Sequence, residues 1–285
     1  MPGDFRLSTA QREAYARDGY LVIEDFKSPA EIAALRARAE AIVEAFDPSE
    51  GRGIFTTRDQ ALATDRYFLE SAARIRCFFE EEAFAPDGSL RQAKSLSINK
   101  IGHALHDLDP VFDVFSRGPA LAALARELGL VEPLIWQSMY IFKQPGIGGE
   151  VGWHQDATFL YTDPISVTTF WFALEDADAQ NGCLWVQPGG HRGPLRELFD
   201  RAGDQVSKRT LDATPWPTAA EARALPVRAG ALVCFHGLLP HYSAPNRSTR
   251  SRHAYTLHAT DGCTRYAASN WLQRDGELPL RGFDR

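Results

Sequence analysis

Apolar and polar positions change rhythm near residue 134 of this chain. Before that point apolar residues recur at helical spacing. Ile32, Leu35, Ala39 and Ile42 fall three or four apart, which puts them on one face of a helix over roughly 29–46. Ser28, Pro29 and Glu31 mark its start: a capping residue, a proline in the first turn and a glutamate three after the cap. Ser8 with Gln11 marks an earlier helix start, and Gly19 its stop. YLVIEDF then reads as a short strand. Asp109-Pro110 opens a helix over about 110–116, and GPALAALARELG, from Gly118 to Gly129, predicts another.

After Leu134 the apolar runs become short and rich in β-branched and aromatic residues. They are LIWQSMYIFKQP, SVTTFWFALED, GCLWVQP, ALVCFH and RHAYTLHAT. Pro145-Gly146, Gly148-Gly149, Asn181-Gly182 and Pro188-Gly189-Gly190 separate them. Such punctuation predicts antiparallel strands in a sandwich or barrel. The helical stripes of the first half need an apolar surface, and one face of a sheet supplies it. The expected fold is mainly β with α, in one domain over 1–285. Residues 1–133 form a mostly helical layer, and 134–275 a double-sheet jelly-roll core. The weakly patterned stretch 199–225 reads as a long insertion, either a lid or a solvated excursion. TTRDQALATDRYF, from Thr56, is a second lid candidate.

At 285 residues the chain can bury roughly 75% of its unfolded surface, so a core needs no staples. A net charge of -6 and the lack of a basic stripe argue against a nucleic-acid partner. Cys77, Cys183, Cys234 and Cys263 form no CxxC pair and are expected to be buried free thiols. The charged N-terminus and the absence of an apolar run of about 18 residues favour a cytoplasmic chain without a membrane span.

Eight histidines occur, and partners must select among them. His154 and Asp156 flank Gln155 in GWHQDATFLYTD. On a strand, positions two apart share a face, so both groups can reach one point. A third metal ligand is sought in LVCFHGLLPHYSAPNRSTRSRHAYTLHAT. His241 is the better candidate and His236 the alternative. Arg252 follows His241 by eleven residues, and a guanidinium grips a carboxylate through two parallel bonds. Two histidines and one carboxylate leave three positions open on an octahedral metal, the arrangement of non-haem Fe(II) oxygenases. A bidentate oxoacid and dioxygen can fill them. His258 reads as buried, His253 as outward, and Gln155 as facing away from its neighbours.

Six segments carry a resemblance: RDGYLVIEDF, NKIGHALHDLDPVF, QSMYIFKQPGIGGEVGWHQDATFLYTDP, FWFALEDADAQNGCLWVQPGGHRG, HGLLPHYSAPNRSTRSRHAYTLH and NWLQ. In this order, from about Asp18 to Gln273, the chain resembles the phytanoyl-CoA dioxygenase family of Fe(II)/2-oxoglutarate-dependent oxygenases. Within it the likeness is greatest to the domain-containing protein 1 branch. The resemblance implies a double-stranded β-helix, the cupin-like jelly roll. It implies Fe(II) held by His154, Asp156 and His241, which are then the catalytic residues. It also implies 2-oxoglutarate gripped by Arg252 with Ser243 nearby, and Lys100, Met139 and Trp171 lining its pocket. The implied reaction hydroxylates a small organic substrate with O2, releases succinate and CO2, and is supported by ascorbate. Related halogenases lack the ligand carboxylate, so the intact Asp156 favours oxygen insertion. A catalytically silent module binding metal and 2-oxoglutarate is the alternative. A cupin-type sensor fits less well, because it would show HxH with a glutamate, and a zinc hydrolase would leave Arg252 without a task.

Overall fold

Ser8 and Ser28 both close capping boxes, at the starts of helices α1 (Thr9–Asp18) and α2 (Pro29–Ala45). Gly19 ends α1 in the left-handed conformation, φ 80, which glycine adopts without penalty. The computed structural model describes residues 5–49, 51, 53–55, 66–203, 205–274 and 276–284. β1 (Tyr20–Ile23) lies between the two helices, and after them come β2 (Ile54–Phe55), α3 (Arg66–Leu69), β3 (Ile75–Glu80) and β4 (Ile98–His103). α4 (Leu105–Leu108), α5 (Pro110–Ser116) and α6 (Pro119–Glu127) follow. The remaining strands are β5 (Pro133–Ile141), β6 (Val151–His154), β7 (Thr162–Asp163), β8 (Thr168–Ala173), β9 (Leu184–Val186) and β10 (Glu197–Ala202). β11 (Gln205–Thr210), β12 (Arg223–Leu225), β13 (Leu232–His236), β14 (His241–Ser243), β15 (Ala254–Asp261) and β16 (Arg265–Tyr266) complete them.

Two sheets organise these strands. The larger has the order β1-β13-β8-β15-β5-β4-β3-β2, the smaller β12-β9-β14-β6. The pattern of β8 shows why they stack. Alternate residues of a strand point to opposite faces. Phe170 and Phe172 join a core with Ile32, Leu35 and Ala39 of α2 and Phe112 and Phe115 of α5. Trp171 and Ala173 join a second core with Leu184, Val186, Val233 and Phe235. Helices thus cover one face of the large sheet and the small sheet covers part of the other, the expected jelly roll. No helix among the described residues is long and apolar enough to cross a membrane.

Three expectations need correcting. The first half contributes strands β3 and β4 to the large sheet as well as helices. INKIGH in β4 hides its strand character because Asn99, Lys100 and His103 turn polar groups toward an internal cavity. The stretch 199–225 is no patternless insertion: β10 and β11 pair as an antiparallel hairpin starting at Glu197. Its outer residues are charged and exposed, which masks the alternation, while Phe199 is buried. All four cysteines are free, but Cys263 is exposed. Of the second lid candidate, Thr56–Asp65 lies outside the described residues; Phe68, its last residue, lines the cavity.

Candidate metal centre

His154 ends β6 and His241 begins β14, and the two are direct partners across these antiparallel strands. Their ring centroids stand 4.0 Å apart. Gln155 stays extended, φ -122 and ψ 134, and Asp156 then opens a single helical turn to Thr158. The strand alternation therefore holds just long enough to aim Asp156 at the histidines. Its Oδ1 lies 3.6 Å from Nε2 of His154 and 3.6 Å from Nε2 of His241. One ligand atom from each of the three residues lies within 4.8 Å of the others, the one such group among the described residues. Bonds of about 2.1 Å meeting at right angles need donors about 3 Å apart, so a small inward shift completes the centre.

Both imidazoles present the correct nitrogen. His154 Nδ1 lies 2.8 Å from the Gly152 carbonyl and His241 Nδ1 3.0 Å from the Leu239 carbonyl. A carbonyl only accepts, so each Nδ1 carries the proton and each Nε2 lone pair faces the site. Burial, with His154 alongside, pushes the His241 imidazole down to about 4, which keeps it in the neutral form a metal requires. Burial opposes the charge on Asp156, but His241, His258 and hydrogen bonds outweigh it and hold the carboxyl well below its usual range.

Burial also pushes His236 and His253 down to about 4. In the unfolded chain these imidazoles protonate near 6.5, so between pH 6.5 and 4 the unfolded state binds more protons. The metal-free protein is expected to keep its full stability above that window. It should lose on the order of several kcal/mol as pH falls through it. Denaturant titrations at neutral pH and at steps toward pH 4 measure the loss; a flat profile would contradict the buried neutral histidines.

The other histidines sort by geometry. His236 Nδ1 accepts from the Leu238 amide at 3.0 Å and its ring neighbours His191, so the choice of His241 over His236 agrees with the geometry. His258 is buried as expected. His253 faces outward from the jelly roll but is not exposed: Tyr140 Oη lies 2.8 Å from its Nδ1, under the helical layer. Gln155 does face away, and its amide is fully used. Nε2 donates to the Pro194 and Leu238 carbonyls, and Oε1 accepts from the Arg196 amide. It thereby ties the ligand turn to the entry of the β10–β11 hairpin and to the approach of His241.

The three candidate ligands line a cavity of about 340 Å³ together with Lys100, Met139, Trp171, Ser243 and Arg252. Arg252 is 2% exposed. Its Nε donates to the Gly182 carbonyl at 3.1 Å and its Nη2 lies 3.4 Å from Ser243 Oγ. Its Nη1 is buried without a hydrogen-bond partner. Ser243 Oγ donates to the same Gly182 carbonyl. Gly182 has φ +86, and a Cβ there would meet the Ala244 carbonyl at 2.8 Å; only glycine leaves this anchor in place. The Lys100 ammonium lies 3.1 Å from the Phe55 ring centre and 3.7 Å from Met139 Sδ, and burial pushes it down to about 7. Phe68, Phe159, Phe199 and Trp271 wall the remainder, and a Lys208–Glu197 pair at 3.2 Å stands beside them. A groove of about 670 Å³ between α2 and the Gln144-Pro145 turn contains none of these ligand groups.

Hard and borderline metals take this donor set of two neutral imidazoles and a carboxylate. An unpaired guanidinium nitrogen in the same cavity suits an anionic oxoacid. The residues present therefore fit both iron and 2-oxoglutarate. Asn99, Gln137, Thr169 and His103 also line the cavity and went unnoticed in the sequence. Only their places beside Lys100 and Met139 on β4 and β5, or beside Trp171 on β8, signalled them.

The family description "Phytanoyl-CoA dioxygenase" matches residues 15–254. A phytanoyl-CoA dioxygenase of Arabidopsis thaliana is 48% identical over 94% of this chain and 94% of its own. Phytanoyl-CoA dioxygenase domain-containing protein 1 of Bos taurus is 44% identical over 96% of this chain and 97% of its own. Among solved structures, EctD from S. alaskensis with 2-oxoglutarate and 5-hydroxyectoine superposes with a TM-score of 0.66 at 21% identity, over 99% of this chain and 90% of that one. EctD was also solved with bound Fe.

Proposed function

Because this chain belongs to the phytanoyl-CoA dioxygenase family, we propose that it is an Fe(II)- and 2-oxoglutarate-dependent dioxygenase acting as one domain. It hydroxylates a small organic substrate and releases succinate and CO2. The observation that carries this reading is the unpaired Nη1 of buried Arg252 in the cavity that also holds the three-ligand cluster. A metal site alone would not need such a group.

His154, Asp156 and His241 hold the iron. Arg252, with Ser243 beside it holding its guanidinium, grips the distal carboxylate of 2-oxoglutarate, and Lys100, Met139 and Trp171 line its length. The iron, when bound with 2-oxoglutarate and O2, supplies the oxidising power that turns a C–H bond into an alcohol. The chain's own part is to position and to dry. The Nδ1 anchors of His154 and His241 fix both rings. Phe68, Phe159, Phe199 and Trp271 present apolar walls that exclude water and hold the substrate's apolar surface. Ascorbate serves by keeping the metal reduced. The solved neighbour of the same fold that contains 2-oxoglutarate supports the co-substrate. The proposed location is the cytoplasm, where the four free cysteines would remain reduced.

A panel of small metabolites, assayed for substrate-stimulated succinate in the presence of Fe(II) and ascorbate, tests the reading. At least one compound is expected to raise succinate above the uncoupled rate. A protein that binds 2-oxoglutarate but forms no succinate above background, alone or with any compound, would instead be the silent binding module.

A further inference from the structure

The two oxygens of Asp156 have different neighbours. Oδ1 faces Nε2 of both candidate ligand histidines. Oδ2 accepts a hydrogen bond from Thr169 Oγ1 and lies 3.4 Å from His258 Nε2. These two neighbours are register partners, Thr169 on β8 and His258 on β15. His258 is in turn the partner of Gln137 on β5. A row of side chains across three strands of the large sheet therefore underlies a carboxylate carried beside the small sheet. Register shifts immediately after His258, where β5 fits the extra residue Trp136 opposite the His258–Ala259 step. Bulges of this kind re-aim side chains.

Proton positions in the row follow from the acceptor at its end. An ionised carboxylate oxygen only accepts, so the single hydroxyl hydrogen of Thr169 goes to Asp156 Oδ2. His258 reaches the same oxygen only as the Nε2–H donor. In neutral His258 the Nδ1 then carries a lone pair, and the Gln137 amide, 3.1 Å away, supplies the hydrogen that fills it. Each group in the row holds the next in one orientation.

We propose that Thr169, His258 and Gln137 lock Asp156 so that it binds the metal through Oδ1 alone. The inference rests on reading the centre as an Fe(II)/2-oxoglutarate site. A carboxylate free at both oxygens can chelate. Chelation would occupy one of the three positions that a bidentate oxoacid and dioxygen require. Here it would strip a buried oxygen of its donors, so the one-toothed mode is kept and the third position stays open. Thr169 and His258 are positioning residues, and Gln137 sets the tautomer of His258.

The test uses Co(II)-loaded protein without O2, because cobalt absorption reports coordination number. The variants are Thr169→Val, which keeps the side-chain shape, and Thr169→Val combined with His258→Phe. Thr169→Ser and His258→Gln restore a donor. The expected result in the valine and double variants is a Co(II) affinity lowered by no more than the roughly 10–100-fold seen for partners of metal ligands, with the 2-oxoglutarate affinity of the loaded protein lowered by about a further tenfold. The cobalt spectrum should shift toward a higher coordination number before 2-oxoglutarate is added, and the donor-restoring variants should revert toward wild type. Unchanged 2-oxoglutarate affinity and spectrum would overturn the lock. So would a parallel loss of cobalt and 2-oxoglutarate binding that Thr169→Ser does not rescue, since that marks a merely structural role. Wild-type protein that binds cobalt but no 2-oxoglutarate would overturn the site reading itself, and the lock with it.

Discussion

Succinate formation is expected to fall to background in Asp156→Ala, with or without substrate. Asp156 supplies the one anionic donor of the cluster, and its Oδ1 sits 3.6 Å from each histidine nitrogen. Removing it leaves two neutral ligands for a dication. Changing a partner of a metal ligand costs about 10–100-fold in affinity or activity, and losing the ligand itself should exceed that range. The fold should tolerate the change better than the activity does, because alanine removes a buried charge, although Thr169 Oγ1 then loses its acceptor. Measured together, anaerobic Fe(II) binding and 2-oxoglutarate turnover check both halves. Full succinate production in the variant would remove Asp156 from the ligand set.

Arg252→Lys is expected to leave metal binding intact and to weaken 2-oxoglutarate binding about 10–100-fold, or roughly 1.5–3 kcal/mol for a hydrogen bond to a charged group. The guanidinium is held at three points: by Gly182 through Nε, by Ser243 through Nη2, and over Trp171 at 5.4 Å from the ring centre. That leaves Nη1 without a hydrogen-bond partner. A lysine keeps the charge but offers one compact, mobile ammonium. It cannot satisfy Gly182 and Ser243 and still grip a carboxylate in the plane of a fork. Titration of 2-oxoglutarate into metal-loaded protein gives the answer directly. An unchanged dissociation constant would mean that another cation, with Lys100 the first to examine, carries the co-substrate.

The candidate site was more legible in the sequence than the framework around it. His154 and Asp156 stand two apart and His241 leads to Arg252 within one connection, so short spacings carried most of the chemistry. The helices at Ser8 and Ser28 were equally plain, because capping is a local event. What escaped were features set by distant pairing. β3 and β4 lack alternation, since residues such as Asn99 and His103 point polar groups into a cavity that only the folded chain creates. The β10–β11 hairpin was masked by charge on its solvent side. His253 faces outward by strand parity, yet the sequence could not say that Tyr140 and the helical layer would cover it. Gln137, Thr169 and His258 form no sequence motif, with Gln137 and His258 121 positions apart; their row exists only through the register of β8, β15 and β5.

That row has a consequence for the core between the sheets. Asp156 and the two histidines travel with the small sheet, whereas Thr169 and His258 belong to the large one. The gap between the sheets is filled by Trp171, Val186, Val233, Phe235 and their neighbours, none of which is a ligand. Their volumes set how far apart the two halves of the centre stand. A methylene gained or lost at Val233 therefore acts on the reach from Thr169 and His258 to Asp156 Oδ2, and the hold on a candidate ligand becomes a property inherited from the thickness of an apolar filling.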